Sequence, residues 1–227
     1  MSLDTVLQRA DIWRGSSVAP AQAVVATGFA RLDGVLPGSG WPLGVLTEIL
    51  YHDQGAGSVS LVLPALAAIT AAARPVLWIN TPHIPYAPTL QQAGCVLEHV
   101  WRVHPRKAVD GLWAAEQALR SNACGAVLLW LNGDEPKALR RLQLAAEASQ
   151  SLLFVFRPET WRRSTSPAAL RIHARFSNRQ MLVDLIKRRG NRLPAPVVLG
   201  DARMGNGPHY AGMLKTAVPK SLFHQGA

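Results

Sequence analysis

The chain has 227 residues, 48% hydrophobic and 17% charged, which is enough to bury the core of one α/β domain with extensions. Its two cysteines, Cys95 and Cys124, have no CxxC partner, which argues against a disulfide framework or a cysteine zinc site; no apolar run reaches the roughly 18 residues of a membrane span. The formal net charge is +10 and is concentrated between residues 157 and 192, a usual footprint of phosphate contacts or of an acidic partner face. With no signal-peptide core at the start, a cytoplasmic location is expected.

Residues 1–26 read as a short amphipathic arm and a linker, with Leu3, Val6 and Leu7 at helical spacing and Asp4 near the helix start. Strands and helices then alternate. Residues 45–50 form a strand, a glycine-rich turn follows, and residues 61–73 form an apolar helix. Strands are expected at 75–80, 96–103, 125–131 and 151–156, with helices at 86–93, 108–122 and 135–148. Strands this apolar, spaced by helices, imply a parallel sheet covered on both faces. Beyond residue 157 the texture changes. A loop at 158–167 leads to a predicted antiparallel hairpin of 169–176 and 181–187, and 193–199 adds an edge strand marked by Pro194 and Pro196. The expected organisation is an arm at 1–26, an α/β domain at 27–199 and a flexible tail at 200–227.

The strand–turn–helix unit at 45–73 has the layout of a phosphate-binding P-loop but lacks its chemistry. Gly55, Ala56 and Gly57 could let backbone amides approach an anion, yet Ser58 and Val59 stand where a working loop has lysine and a hydroxyl residue. Gly55, Gly57, Ser58 and Val59 therefore read as a vestigial loop. The strand at 125–131 reaches Trp130 where such folds place a magnesium-binding aspartate, and tryptophan cannot bind the ion. The histidines show no metal-ligand spacing, so no catalytic residue, cofactor or metal is expected. Trp78, Trp101 and Trp130 lie on strand patterns and are expected in the core. The candidate nucleic-acid or partner surface is Trp161, Arg162, Arg163, Arg175, Arg179, Lys187, Arg188 and Arg189; within 157–192 only Glu159 and Asp184 oppose this charge.

The order Thr27-Gly28-Phe29, Leu32-Asp33, Leu36-Pro37-Gly38, Gly40-Trp41-Pro42, Gly44 and Glu48-Ile49 resembles the RecA recombinase core. That resemblance implies a RecA-like, P-loop NTPase-type α/β fold: a mostly parallel sheet flanked by helices, a degenerate nucleotide site and an antiparallel C-terminal extension. It also implies that Pro82 replaces the catalytic glutamate. A RecA-like scaffold with a lost ATP site and a basic C-terminal half resembles the ImuA family, which is SulA-related. This implies an SOS-induced, non-catalytic adaptor in mutagenic translesion DNA repair. Its implied partners are ImuB, RecA, an error-prone DnaE-type polymerase complex and DNA, with no membrane. The alternative is a SulA-type division inhibitor that binds the tubulin-like division protein; an ATPase with an unusual loop is a third reading.

Overall fold

The computed structural model describes residues 23–52, 57–133, 135–177, 180–188 and 195–201. Two short strands, β1 (Val24–Val25) and β2 (Trp41–Pro42), pair antiparallel around α1 (Ala30–Asp33) and lead into the main sheet. The apolar runs become its centre: β3 (Leu46–Tyr51), β4 (Val76–Ile79), β5 (Val100–Val103), β6 (Ala126–Trp130) and β7 (Leu152–Pro158) are parallel. Every residue of β3, β4 and β6 is buried, as continuous apolar strands must be when both faces are covered. β8 (Leu170–Ser177) joins β3 in parallel, and β9 (Gln180–Lys187) and β10 (Val197–Asp201) continue antiparallel. The order across the eight strands is β10-β9-β8-β3-β7-β6-β4-β5.

One face packs against α2 (Leu63–Ala71), whose Leu66 and Ile69 meet Trp78, Trp130, Phe154 and Phe156. After α3 (Ala87–Gln92), the opposite face packs against α4 (Ala108–Arg120) and α5 (Pro136–Glu147), through Ala115, Leu119, Leu139 and Leu142. Fully burying each large apolar side chain in these layers stabilises the fold by roughly 1.5–3 kcal/mol before entropy is counted. Pro136 opens α5 in its first turn, where a missing N–H costs nothing. Among the described residues, no helix is long and apolar enough to cross a membrane.

The large mixed α/β architecture agrees with the sequence reading, and three local features differ. The segment expected as one strand at 96–103 begins with a 3-10 turn, Leu97–His99, and only Val100–Val103 pairs. That strand is the sheet edge, so Trp101, expected in the core, is 51% exposed. The helix after the glycine turn starts later, because Ser58–Leu61 is a 3-10 turn and α2 begins at Leu63. β7 runs on to Pro158 because Arg157 and Pro158 keep pairing with Leu50 and Tyr51 of β3. The strand can hold Arg157 because β3 supplies a carboxylate beside it. The arm at 1–22 and the tail beyond 201 lie outside the described residues.

Candidate functional site

The C-terminal ends of β3, β6, β7 and β8 carry most of the groups singled out in the sequence. Gly57 opens the turn into α2 with φ +79°, a left-handed conformation that favours glycine. A Cβ on it would fall 2.0 Å from the Phe176 ring of β8, so an aromatic side chain lies directly on the turn. Ser60 Oγ donates back to the Gly57 carbonyl. Ser58 is 1% exposed, and its hydroxyl has no hydrogen-bond partner among the described residues. Val59 packs against the core. Neither Ser58 nor Val59 brings positive charge to the turn, and Gly55 lies outside the described residues.

Trp130 completes an apolar stack at the end of β6. Its ring lies 4.5 Å from that of Phe156, at an interplanar angle of 9°, and 5.7 Å from that of Trp78. Pro82 is exposed in the turn after β4. No group of three His, Cys, Asp or Glu among the described residues is placed to hold a metal ion.

A buried ion cluster lies beneath this rim. Glu48 of β3 is fully buried. Arg157 Nη1 of β7 donates to its Oε1 at 3.0 Å, and Arg171 Nε of β8 donates to its Oε2 at 2.7 Å. The strands flanking β3 thus each send one guanidinium to the same carboxylate. Other donors of the pair reach backbone: Arg157 Nη2 the Gly133 carbonyl, and Arg171 Nη1 and Nη2 the Ser164 and Trp161 carbonyls. Trp161 sits in a 3-10 turn (Glu159–Arg163), donates its indole N–H to the Asn132 carbonyl and takes the Arg157 guanidinium over its ring at 4.7 Å. The cluster therefore pins that turn to the sheet.

A second polar layer surrounds the first. Glu159 meets His52 through Oε1 and His173 Nε2 at 2.8 Å through Oε2; His173 Nδ1 lies 3.4 Å from Asp184. The hydrogen bond from His52 holds the Glu159 carboxyl below its ordinary range, against an opposing push from burial, and His173 adds to the lowering. The buried thiols of Cys95 and Cys124 are both pushed up by desolvation, Cys95 to about 11, so neither is a thiolate at neutral pH.

The candidate basic residues are placed as follows. Arg162 and Arg163 are exposed on the 3-10 turn, with Arg162 Nη1 3.4 Å from His173 Nδ1. Arg175 Nε reaches Asp184 at 3.4 Å, and Lys187 Nζ donates to the Ser166 carbonyl at 3.0 Å. Arg188 donates to the Val35 carbonyl. Arg179 and Arg189 lie outside the described residues. The structure thus gathers Arg162 and Arg175 around His173 and Asp184, while Arg188 is directed elsewhere. Arg157 and Arg171, counted with the surface charge in the sequence, are interior. The Glu48 cluster was not found by sequence reasoning. Its signal was present: a carboxylate inside the apolar run Leu46-Thr47-Glu48-Ile49-Leu50 requires a buried cation.

Comparison with known proteins bears on residues 44–152, which run from the entry to β3 to the first residue of β7. They match the family model described as cell division inhibitor SulA. The cell division inhibitor SulA of Pectobacterium carotovorum subsp. carotovorum (strain PC1) is 30% identical over 118 residues, covering 52% of this chain and 70% of that protein. The SulA of Serratia marcescens is 26% identical over 136 residues, covering 58% and 79%. That of Edwardsiella piscicida is 30% identical over 116 residues, covering 51% and 69%. These matches overturn the translesion reading. The matching family and these relatives are division inhibitors, so neither the adaptor role nor the partners ImuB, RecA, a DnaE-type polymerase and DNA stand. The ImuA resemblance rested on the lost ATP chemistry and the basic C-terminal half, and neither feature separates a translesion adaptor from a division inhibitor. On its matched residues and relatives, this chain belongs to the SulA family.

Proposed function

We propose that the protein is a cell division inhibitor that acts by binding the tubulin-like division protein, without catalysis, in the cytoplasm of cells responding to DNA damage. The observation that carries this reading is the match of residues 44–152, which hold β3–β6 and α2–α5, to cell division inhibitor SulA. Non-catalytic action is supported by the site. The turn at Gly57 brings no positive charge in Ser58 or Val59, and an apolar stack of Trp130, Phe156 and Trp78 occupies the end of β6. On this reading the fold is a RecA-like scaffold that kept its sheet and lost its nucleotide.

Induced expression in a rod-shaped bacterium tests it. Cells should form filaments, and the purified chain should bind the purified division protein and block its assembly. Normal division and undisturbed assembly at saturating protein would refute the proposal. ATP hydrolysis above background, or a rise in melting temperature with Mg-ATP, would refute the non-catalytic part.

A further inference from the structure

We infer that the rim formed by β4, β5 and α4 is the face that docks an acidic partner protein, and this rests on the partner-binding function proposed above. Seven large hydrophobic residues are exposed among the described residues, and five of them, Ile84, Tyr86, Trp101, Val109 and Trp113, belong to this end of the sheet. Their exposures run from 51% to 77%.

The topology brings them together. β4 and β5 are parallel neighbours, so the turns leaving them emerge at the same end. Asn80 N–H donates to the Val103 carbonyl, and Arg102 Nε donates to Thr81 Oγ1, which ties the two turns to each other. α4 starts against the same point: a Cβ on Gly111 would lie 2.4 Å from Asn80 Nδ2. From there α4 runs back along the sheet toward β6. Trp113 lies about 7.5 Å down the helix, one turn beyond Val109, and Trp101 about 6.6 Å before the end of β5. Val109 and Trp113, four residues apart, share one helix face.

An apolar, aromatic-rich surface of this kind is what interface centres are made of. Its border identifies the partner. Arg102, Arg106 and Lys107 are exposed along it, against the acidic residues Asp110 and Glu98, the latter accepting the Trp101 indole N–H at its carbonyl, so the border is net positive. A second copy of this chain would set the same cations against each other and bring together two molecules of net charge +10. The face therefore fits a partner whose contact region is apolar at its centre and acidic at its border.

The test titrates the full chain against the purified tubulin-like division protein, with Trp113→Ala, Tyr86→Ala, the double variant Arg106→Glu/Lys107→Glu, and Arg31→Glu on α1, beside β10 at the opposite edge of the sheet, as a charge control. The changed residues are exposed, and unchanged melting midpoints would show that the variants fold. Trp113→Ala and Tyr86→Ala should each raise Kd at least ten-fold, and the double reversal should slow association several-fold at low salt, whereas Arg31→Glu should stay within about three-fold of the parent chain. A parent chain that binds while all patch variants bind equally well would overturn this surface and leave the proposed function standing. A parent chain that does not bind would overturn the function, and the surface with it. A dimer in gel filtration that Trp113→Ala converts to monomer, with Kd unchanged, would assign the face to a second copy and also overturn the inference.

Discussion

Glu48→Gln should be among the most damaging single-atom changes in this protein. The carboxylate is fully buried between two guanidiniums, with donor–acceptor distances of 3.0 Å to Arg157 and 2.7 Å to Arg171. At charge separations of about 4 Å and an effective dielectric of 20, each attraction is about 4 kcal/mol, and it offsets a desolvation cost of several kcal/mol per ion. Removing the shared anion leaves two cations facing each other in the interior. Loss of one partner from a buried ionic cluster costs about 3–5 kcal/mol, a large part of a typical domain stability of 5–15 kcal/mol. For a chain of this size that corresponds to a fall in melting temperature of about 6–20 °C. Urea unfolding followed by tryptophan fluorescence measures it: the midpoint should drop with little change in slope. The triple variant Glu48→Leu/Arg157→Met/Arg171→Met should recover most of the loss, because it removes the charges together. A Glu48→Gln protein within about 1 kcal/mol of the parent would refute the argument that the cluster is ionic and desolvated.

Three further outcomes follow from the site. Gly57→Ala should destabilise by at least about 1 kcal/mol, since its φ is +79° and its Cβ would meet the Phe176 ring; Phe176→Ala in the same chain should restore the steric part, as denaturant midpoints would show. Ser58→Ala should leave stability unchanged or raise it by about 1 kcal/mol, because the hydroxyl is buried without a hydrogen-bond partner among the described residues; a clear loss would mean that it is bonded. Glu159 titrates below its ordinary value in the folded state, so its contribution is present above the unfolded pKa of about 4.3 and is lost as pH falls through the lower folded value. Glu159→Gln should flatten that part of the stability–pH curve, and an unchanged acid limb would show that the His52 and His173 contacts do not form.

Much of the layer structure was legible because burial on both faces leaves a simple mark. The runs at β3, β4, β6 and β7 are apolar at successive positions, which only a doubly covered strand requires. The antiparallel hairpin of β8 and β9 and the edge strand β10 were also legible, from alternation and from prolines that an inner strand would reject. Trp78 and Trp101 show the limit. Both sit in short apolar runs, yet one is 3% exposed and the other 51%, because strand order places β5 at the edge. No local pattern encodes strand order.

The charged residues divide in the same way. Local composition marked Glu48 as anomalous and the segment beyond residue 157 as basic, and it showed that the glycine turn lacks a lysine. It could not tell which arginines were surface charge, because the partners of Glu48 are 109 and 123 residues away along the chain. By itself the sequence determined the apolar periodicity, the turn chemistry and the net charge, which are properties of neighbouring residues. Only the tertiary structure decided that Arg157 and Arg171 are interior, that Phe176 covers Gly57, and that five apolar side chains on β5, on the segment after β4 and on the first turns of α4 are exposed. The physical reason is that burial and charge pairing depend on which strands lie side by side, and strand order is set by packing the whole sheet at once.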